Sequence, residues 1–177
     1  MSSLTGPVRI VGAGLLGTSI GLALTKQGVD VILSDSSRSS QALAVDYGAG
    51  REPRDGDNPA LVVVAVPPDH TATVVAAELA SYPNAFVTDV ASVKLPILQE
   101  LQAMGVELSH YVGSHPMAGR ERGGAISGRS DLFIGRPWVV VPHEGSNYDA
   151  VRVVTDLALD LESVPVNMEP IEHDHAV

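Results

Sequence analysis

The sequence predicts an α/β fold, a mostly parallel, doubly wound sheet with helices on both faces. Three observations carry the prediction. Apolar runs of strand length alternate with segments of helical spacing over roughly the first 165 of 177 residues. The run Leu61 to Val66 is continuously apolar, as a parallel strand covered on both faces requires. A glycine-rich turn stands directly between the first strand and the first helix.

Val8 to Val11 reads as a short buried strand, and the segment 12–28 changes to helix-like spacing before a stop at Gly28. A second strand follows at 29–35, and a right-handed crossover makes the two parallel. Residues 36–50 supply a polar helix entry, a helix centred on Gln41 to Val45 and an exit near Gly48, and 51–59 is a surface connection. The strand at 61–68 ends at two prolines, and Thr71 to Ala80 forms the next helix. The strand at 85–90 brings Thr88 and Asp89 to its C-terminal edge, and 96–105 returns to helix periodicity. A strand at 110–116, a glycine-rich connection, a strand at 138–142, a helix from Asp149 to Leu159 and a last strand in ESVPVN complete the order. Neither a 20–50-residue repeat nor a sustained heptad interrupts it.

Composition narrows the function classes. Apolar residues at 45% against 18% charged supply a buried interior and oppose intrinsic disorder, and with aromatics at 4% that interior is built from Val, Leu and Ala. A net charge of -10 disfavours a broad nucleic-acid surface. The absence of cysteine excludes disulfides, thiolate metal sites and cysteine nucleophiles. The opening MSSLTGPVRI lacks the basic-then-apolar order of a secretion signal, and the apolar runs are too short or interrupted to cross a bilayer. The expectation is a cytoplasmic protein with neither membrane nor nucleic-acid partners.

Gly12, Gly14 and Gly17 form G-A-G-L-L-G between strand and helix, the dinucleotide-binding pattern in both spacing and context. This makes the fold Rossmann-like. Gly12 permits the tight turn, Gly14 lets the backbone approach a pyrophosphate, and Gly17 lets the helix pack close to the sheet. Asp35, about 20 residues on, ends the second strand, where its carboxylate can accept from both adenosine ribose hydroxyls and repel a 2'-phosphate. That favours NAD over NADP, although Ser36, Ser37 and Arg38 can form a compensating phosphate pocket. The candidate cofactor contacts are Gly12, Ala13, Gly14, Leu15, Leu16, Gly17, Asp35 and Val66. Neither Lys26 nor Lys94 completes a P-loop, and no feature selects a flavin over a nicotinamide.

Asp89, Ser92, Lys94, Ser114, His115 and Glu121 gather at the expected C-terminal sides of two strands, where open α/β sheets place ligands. His115 is the chemical candidate, because a neutral imidazole can accept a hydroxyl proton as that hydroxyl becomes a carbonyl during hydride removal. Ser92 can orient imidazole or substrate, or cap the following helix. Lys94 reads equally as an anion contact or a solvated helix-end charge, Asp89 as network or structural, and Glu121 with Arg122 as pocket or charged loop. Trp138 reads as core packing, and His173 with His175 as helix entry with no metal site.

The ordered pieces GAGLLG at 12–17, TDVASVK at 88–94, GSHPMAGRERGG at 113–124 and DLFIGRPWVVVP at 131–142 strongly resemble the prephenate and arogenate dehydrogenase family over almost the whole chain. The resemblance implies an NAD(P)-dependent dehydrogenase that oxidatively decarboxylates prephenate to 4-hydroxyphenylpyruvate in tyrosine biosynthesis. Its alternatives are an arogenate dehydrogenase producing tyrosine, or an NAD-binding fragment without full turnover. It implies His115 as the catalytic histidine acting on the ring C4 hydroxyl, and Ser92 as the serine that holds that hydroxyl and the histidine. Ser114 and Glu121 are candidate substrate-pocket residues, and His173 resembles the histidine at the entrance to a helical domain. It further implies a dinucleotide-binding domain over 7–166, a linker and truncated start of a helical dimerisation and substrate domain over 167–177, and a homodimer of the full-length protein.

Overall fold

A computed structural model describes residues 4–118 and 124–177. Among them the chain runs β1 (Val8–Val11), α1 (Leu15–Lys26), β2 (Val31–Ser34), α2 (Arg38–Asp46), β3 (Leu61–Val64), α3 (Pro68–Ser81), β4 (Phe86–Asp89), α4 (Leu95–Ala103) and β5 (Gly113–Pro116). A single 3-10 turn at Ala125–Ser127 leads to β6 (Pro137–Val141), α5 (Tyr148–Asp160), β7 (Val164–Asn167) and α6 (Pro170–Ala176).

Four strands pair in parallel in the order β2-β1-β3-β4, and a second set pairs as β5-β6-β7. The two sets join where Val87 N donates to His110 O at 2.9 Å and Val112 N donates to Val87 O at 3.1 Å, a parallel bridge between Val87 and Tyr111. Among the described residues only β5 with β6 pairs antiparallel. A parallel neighbour needs a crossover helix, and the connection from β5 to β6 holds only the 3-10 turn among its described residues, so the chain comes back alongside in the opposite sense.

The strand at Leu61–Val64 shows why a continuous apolar run was needed. Leu61 and Val63 face a core with Ile20 and Leu24 of α1 and Leu157 of α5, while Val62 and Val64 face one with Val75 of α3 and Ile97 and Leu101 of α4. Alternating side chains thus bury on opposite faces, each contributing about 1.5–3 kcal/mol relative to exposure. Trp138 belongs to the first core, fully buried with its ring centroid 5.2 Å from that of Phe133.

Three boundaries differ from expectation. The third strand stops at Val64, and α3 begins at Pro68, because proline lacks the N–H that a first helical position leaves unused anyway. The segment after β7 is already a helix, α6, opened by a capping box between Glu169 and Glu172.

Candidate active site

The glycine turn is built by steric necessity. Gly12 has φ +113°, and a Cβ there would stand 2.2 Å from Ala65 O. A Cβ on Gly17 would stand 1.9 Å from Gly12 O, so α1 approaches the turn as closely as only glycine permits. At Gly14 an added Cβ meets nothing within 4 Å, leaving open space in front of the backbone that opens α1. The first turn of α1 carries no acidic residue, so its N–H groups and dipole face that space without a competing carboxylate. This cradle fits a pyrophosphate.

Asp35 closes the turn from the end of β2. Its carboxylate accepts from Ala13 N at 2.7 Å and from Ser37 N at 2.7 Å, which holds it beside the turn and leaves lone pairs for further donors. Val66 lies half-buried past β3, and its backbone N borders Gly12. Turn, Asp35 and Val66 therefore share the C-terminal edge of adjacent parallel strands.

Farther along the same edge, His115 on β5 and Ser92 after β4 line one cavity of about 900 Å³ with Met117, Arg136 and Asp174. The imidazole is half-buried, and that desolvation, with the nearness of His173 and of Lys94, lowers its pKa from 6.5 to about 4. It is therefore neutral at physiological pH and able to accept a proton. Its Nδ1 lies 2.9 Å from His173 Nε2, and His173 Nδ1 lies 2.6 Å from Asp174 Oδ1. Asp174 also accepts from the backbone N–H of Lys94 at 3.0 Å and of Leu95 at 2.9 Å, capping α4, whose own N-cap residue makes no side-chain cap.

Beneath the cavity, Lys94 is 2% exposed and donates to Asp89, which also accepts from Tyr111 OH at 2.7 Å and Ala91 N at 3.0 Å. Lys94 is thus neither a solvated helix-end charge nor part of the wall of the His115 cavity: desolvation pushes its pKa down and Asp89 pulls it back. The pair anchors the loop that presents Ser92. Losing one partner would strand a buried charge, so the loop is held from below.

Not every expected residue reaches the cavity. Ser114 is buried and turned into the sheet, with its Oγ 2.9 Å from Thr88 Oγ1 and donating to Asp89 O at 3.0 Å, because adjacent residues on a strand face opposite sides. Ser114 is thus held inside the sheet and is not among the residues of the cavity wall. His173 is fully buried behind His115, so its contact is with that ring rather than with the cavity. Ser92 is exposed on the cavity wall, and the partner of His115 Nδ1 is His173 rather than Ser92. Glu121 lies outside the described residues. Sequence reasoning missed Arg136 and Asp174. The GRPW and HDH segments held them, but nothing local says that either meets His115.

Residues 20–166 match a family profile described as the nucleotide-binding domain of prephenate dehydrogenase. The chain belongs to the prephenate dehydrogenase family. The profile begins beyond the glycine turn, so membership and the turn are separate lines of evidence. A probable prephenate dehydrogenase NovF of Streptomyces niveus is 42% identical over 168 residues, covering 95% of this chain and 46% of the relative. The prephenate dehydrogenase of Bacillus subtilis is 28% identical over 184 residues, covering 98% and 49%. The chain spans about half the length of these family members. A crystal structure of prephenate dehydrogenase from A. aeolicus, in complex with hydroxyphenyl propionate and NAD+, superposes with a TM-score of 0.89 at 25% identity, covering 99% of this chain and 64% of that one. Synechocystis arogenate dehydrogenase superposes with a TM-score of 0.87 at 25% identity, covering 97% and 62%.

Proposed function

We propose that this chain carries the NAD-binding and catalytic machinery of a prephenate dehydrogenase of tyrosine biosynthesis, converting prephenate to 4-hydroxyphenylpyruvate. The observation that carries the reading is a neutral, half-buried His115 beside Ser92 in one large cavity, on the strand edge that also bears the glycine cradle.

Gly12 to Gly17 hold the pyrophosphate, with Ala13, Leu15 and Leu16 supplying backbone and Val66 bordering the turn. Asp35 takes the adenosine ribose and disfavours a 2'-phosphate, so NAD is preferred to NADP. The chemistry supplied by bound NAD is acceptance of hydride from the ring C4 carbon. His115 accepts the C4 hydroxyl proton through its cavity-facing nitrogen, and Ser92 holds that hydroxyl. Release of the ring carboxylate as carbon dioxide leaves its bonding pair in the ring, which becomes aromatic. Arg136 on the cavity wall receives a substrate carboxylate, a local cation that a chain of net charge -10 needs in order to hold an anion.

The Synechocystis neighbour supports a second reading, arogenate as substrate, since the wall residues described here do not distinguish a keto from an amino side chain. The family's greater length supports residues 167–177 as the linker and start of a further helical domain, and a cytoplasmic homodimer of the full-length protein belongs to the same reading. No helix among the described residues is long and apolar enough to cross a membrane.

Calorimetry of the chain with NAD and NADP, and NADH or NADPH formation with prephenate and with arogenate, test the reading. Tight NAD binding with faster turnover of prephenate is expected. NAD binding without turnover of either compound, in the chain and in its full-length form, reduces the reading to a binding module. Failure to bind either nucleotide overturns it.

A further inference from the structure

Behind His115 the hydrogen bonds run in one direction. The Asp174 carboxyl sits beside α4, and although its partial burial works the other way, the bonds from His173 and from the Leu95 and Lys94 amides hold its pKa below the ordinary value. An ionised carboxylate only accepts, so His173 Nδ1 must carry the proton of the 2.6 Å bond. A neutral imidazole with its proton on Nδ1 has a lone pair on Nε2. That lone pair lies 2.9 Å from His115 Nδ1, which must then be the donor. The remaining nitrogen of His115, Nε2, is left as the ring's acceptor.

We propose that Asp174 and His173 are positioning residues, a buried relay that fixes His115 in the Nδ1–H tautomer and so makes Nε2 the proton acceptor of the cavity. Three features support this over a packing role. His173 is completely buried, so its hydrogen bonds are not exchanged with water. Asp174 is itself fixed at two points by the first amides of α4, giving the relay a rigid base. The two ring centroids are 5.1 Å apart with the facing nitrogens 2.9 Å apart, so the nitrogens lie close to the line between the centroids, as an N–H aimed at an in-plane lone pair requires. When His115 takes a proton at Nε2 its Nδ1–H still points at His173, so the ring keeps its orientation through the step.

The proposal deepens the dehydrogenase reading and rests on it for the use made of Nε2, but the tautomer is measurable without turnover. Histidine-selective ¹⁵N labelling and long-range ¹H–¹⁵N correlation at neutral pH would show it directly, with the His115 signals assigned by their loss in His115→Asn. The expected wild-type pattern is a protonated Nδ1 and an unprotonated Nε2 on His115. In Asp174→Ala the Nδ1–H of His173 loses its acceptor, so nothing fixes the proton there and both rings should become mixtures of tautomers. In the full-length enzyme that variant should lower kcat by about 100-fold or more, with KM and NAD affinity within about twofold. A wild-type His115 protonated on Nε2 overturns the relay, whether or not the variants fold. So does an Asp174→Ala protein whose tautomer pattern is unchanged. If the pattern holds while neither prephenate nor arogenate is turned over, the relay stands and the substrate assignment falls.

Discussion

The glycine turn and the histidine cluster occupy the same strand edge and are built in opposite ways. The turn uses almost no side chains. Its function lies in backbone atoms that a Cβ at Gly12 or Gly17 would displace, and its parts are within six residues of one another. The cluster is made chiefly of side chains, drawn from β5, the loop after β4 and α6, with His115 and His173 separated by 58 positions. A site made of backbone depends on local residue size. A site made of side chains depends on the whole sheet holding its register.

The harshest test of that contrast is Gly17→Ala. Its Cβ meets a backbone oxygen 1.9 Å away, so neither atom can yield cheaply, and a loss of about 3 kcal/mol or more, or no folded protein, is expected in thermal melts. Gly14→Ala, facing open space, should stay within about 0.5 kcal/mol of the parent and lose NAD affinity instead. Equal destabilisation by both would break the backbone account of the turn.

In the cluster the expected loss is chemical. His115→Asn should lower kcat by about 100- to 10,000-fold while calorimetric NAD affinity stays unchanged, because the cradle is built from other elements. A parallel fall in NAD affinity would mean that the two regions are not independent. Ser92→Ala comes next, removing one exposed hydroxyl for a loss of about 5- to 10-fold in kcat/KM and little change in melting temperature.

The smallest effect is one of acidity. Folding lowers the His115 pKa from 6.5 to about 4 through desolvation and the nearness of His173 and Lys94, opposed by Asp89 and Asp174. Between those values the unfolded chain binds a proton that the folded chain refuses. The stability held above about 6.5 is therefore lost as pH falls toward 4. Melting temperature should fall over that interval, and less steeply in His115→Asn. An identical slope in both proteins would show that His115 does not carry the linkage.

How much was legible in advance follows from the same contrast. β3 was readable because burial on both faces demands a run with no polar member, and the turn because three glycines at that spacing sit between a strand and a helix. His115 and Ser92 were found through ordered motifs, and the structure sets both on one cavity. That Ser114 sits inside the sheet was not legible, because sequence proximity to His115 says nothing about strand alternation, which sends it to the opposite face. Lys94 was misread because its partner Asp89 becomes visible only when the loop after β4 folds back over the strand end. Asp174 was missed because an acidic residue near a helix start looks solvated until another helix places its amides against it.

By itself, then, the sequence determined what local rules control: alternating elements, the doubly wound parallel sheet, the glycine cradle and a histidine of suitable chemistry. The tertiary structure alone decided which groups that histidine meets, turning β6 back antiparallel and bringing His173 and Asp174 behind the ring. The physical reason is range. Backbone conformation and burial period are settled within a few residues, whereas a hydrogen-bonded side-chain relay exists only once distant segments are packed to within about 3 Å.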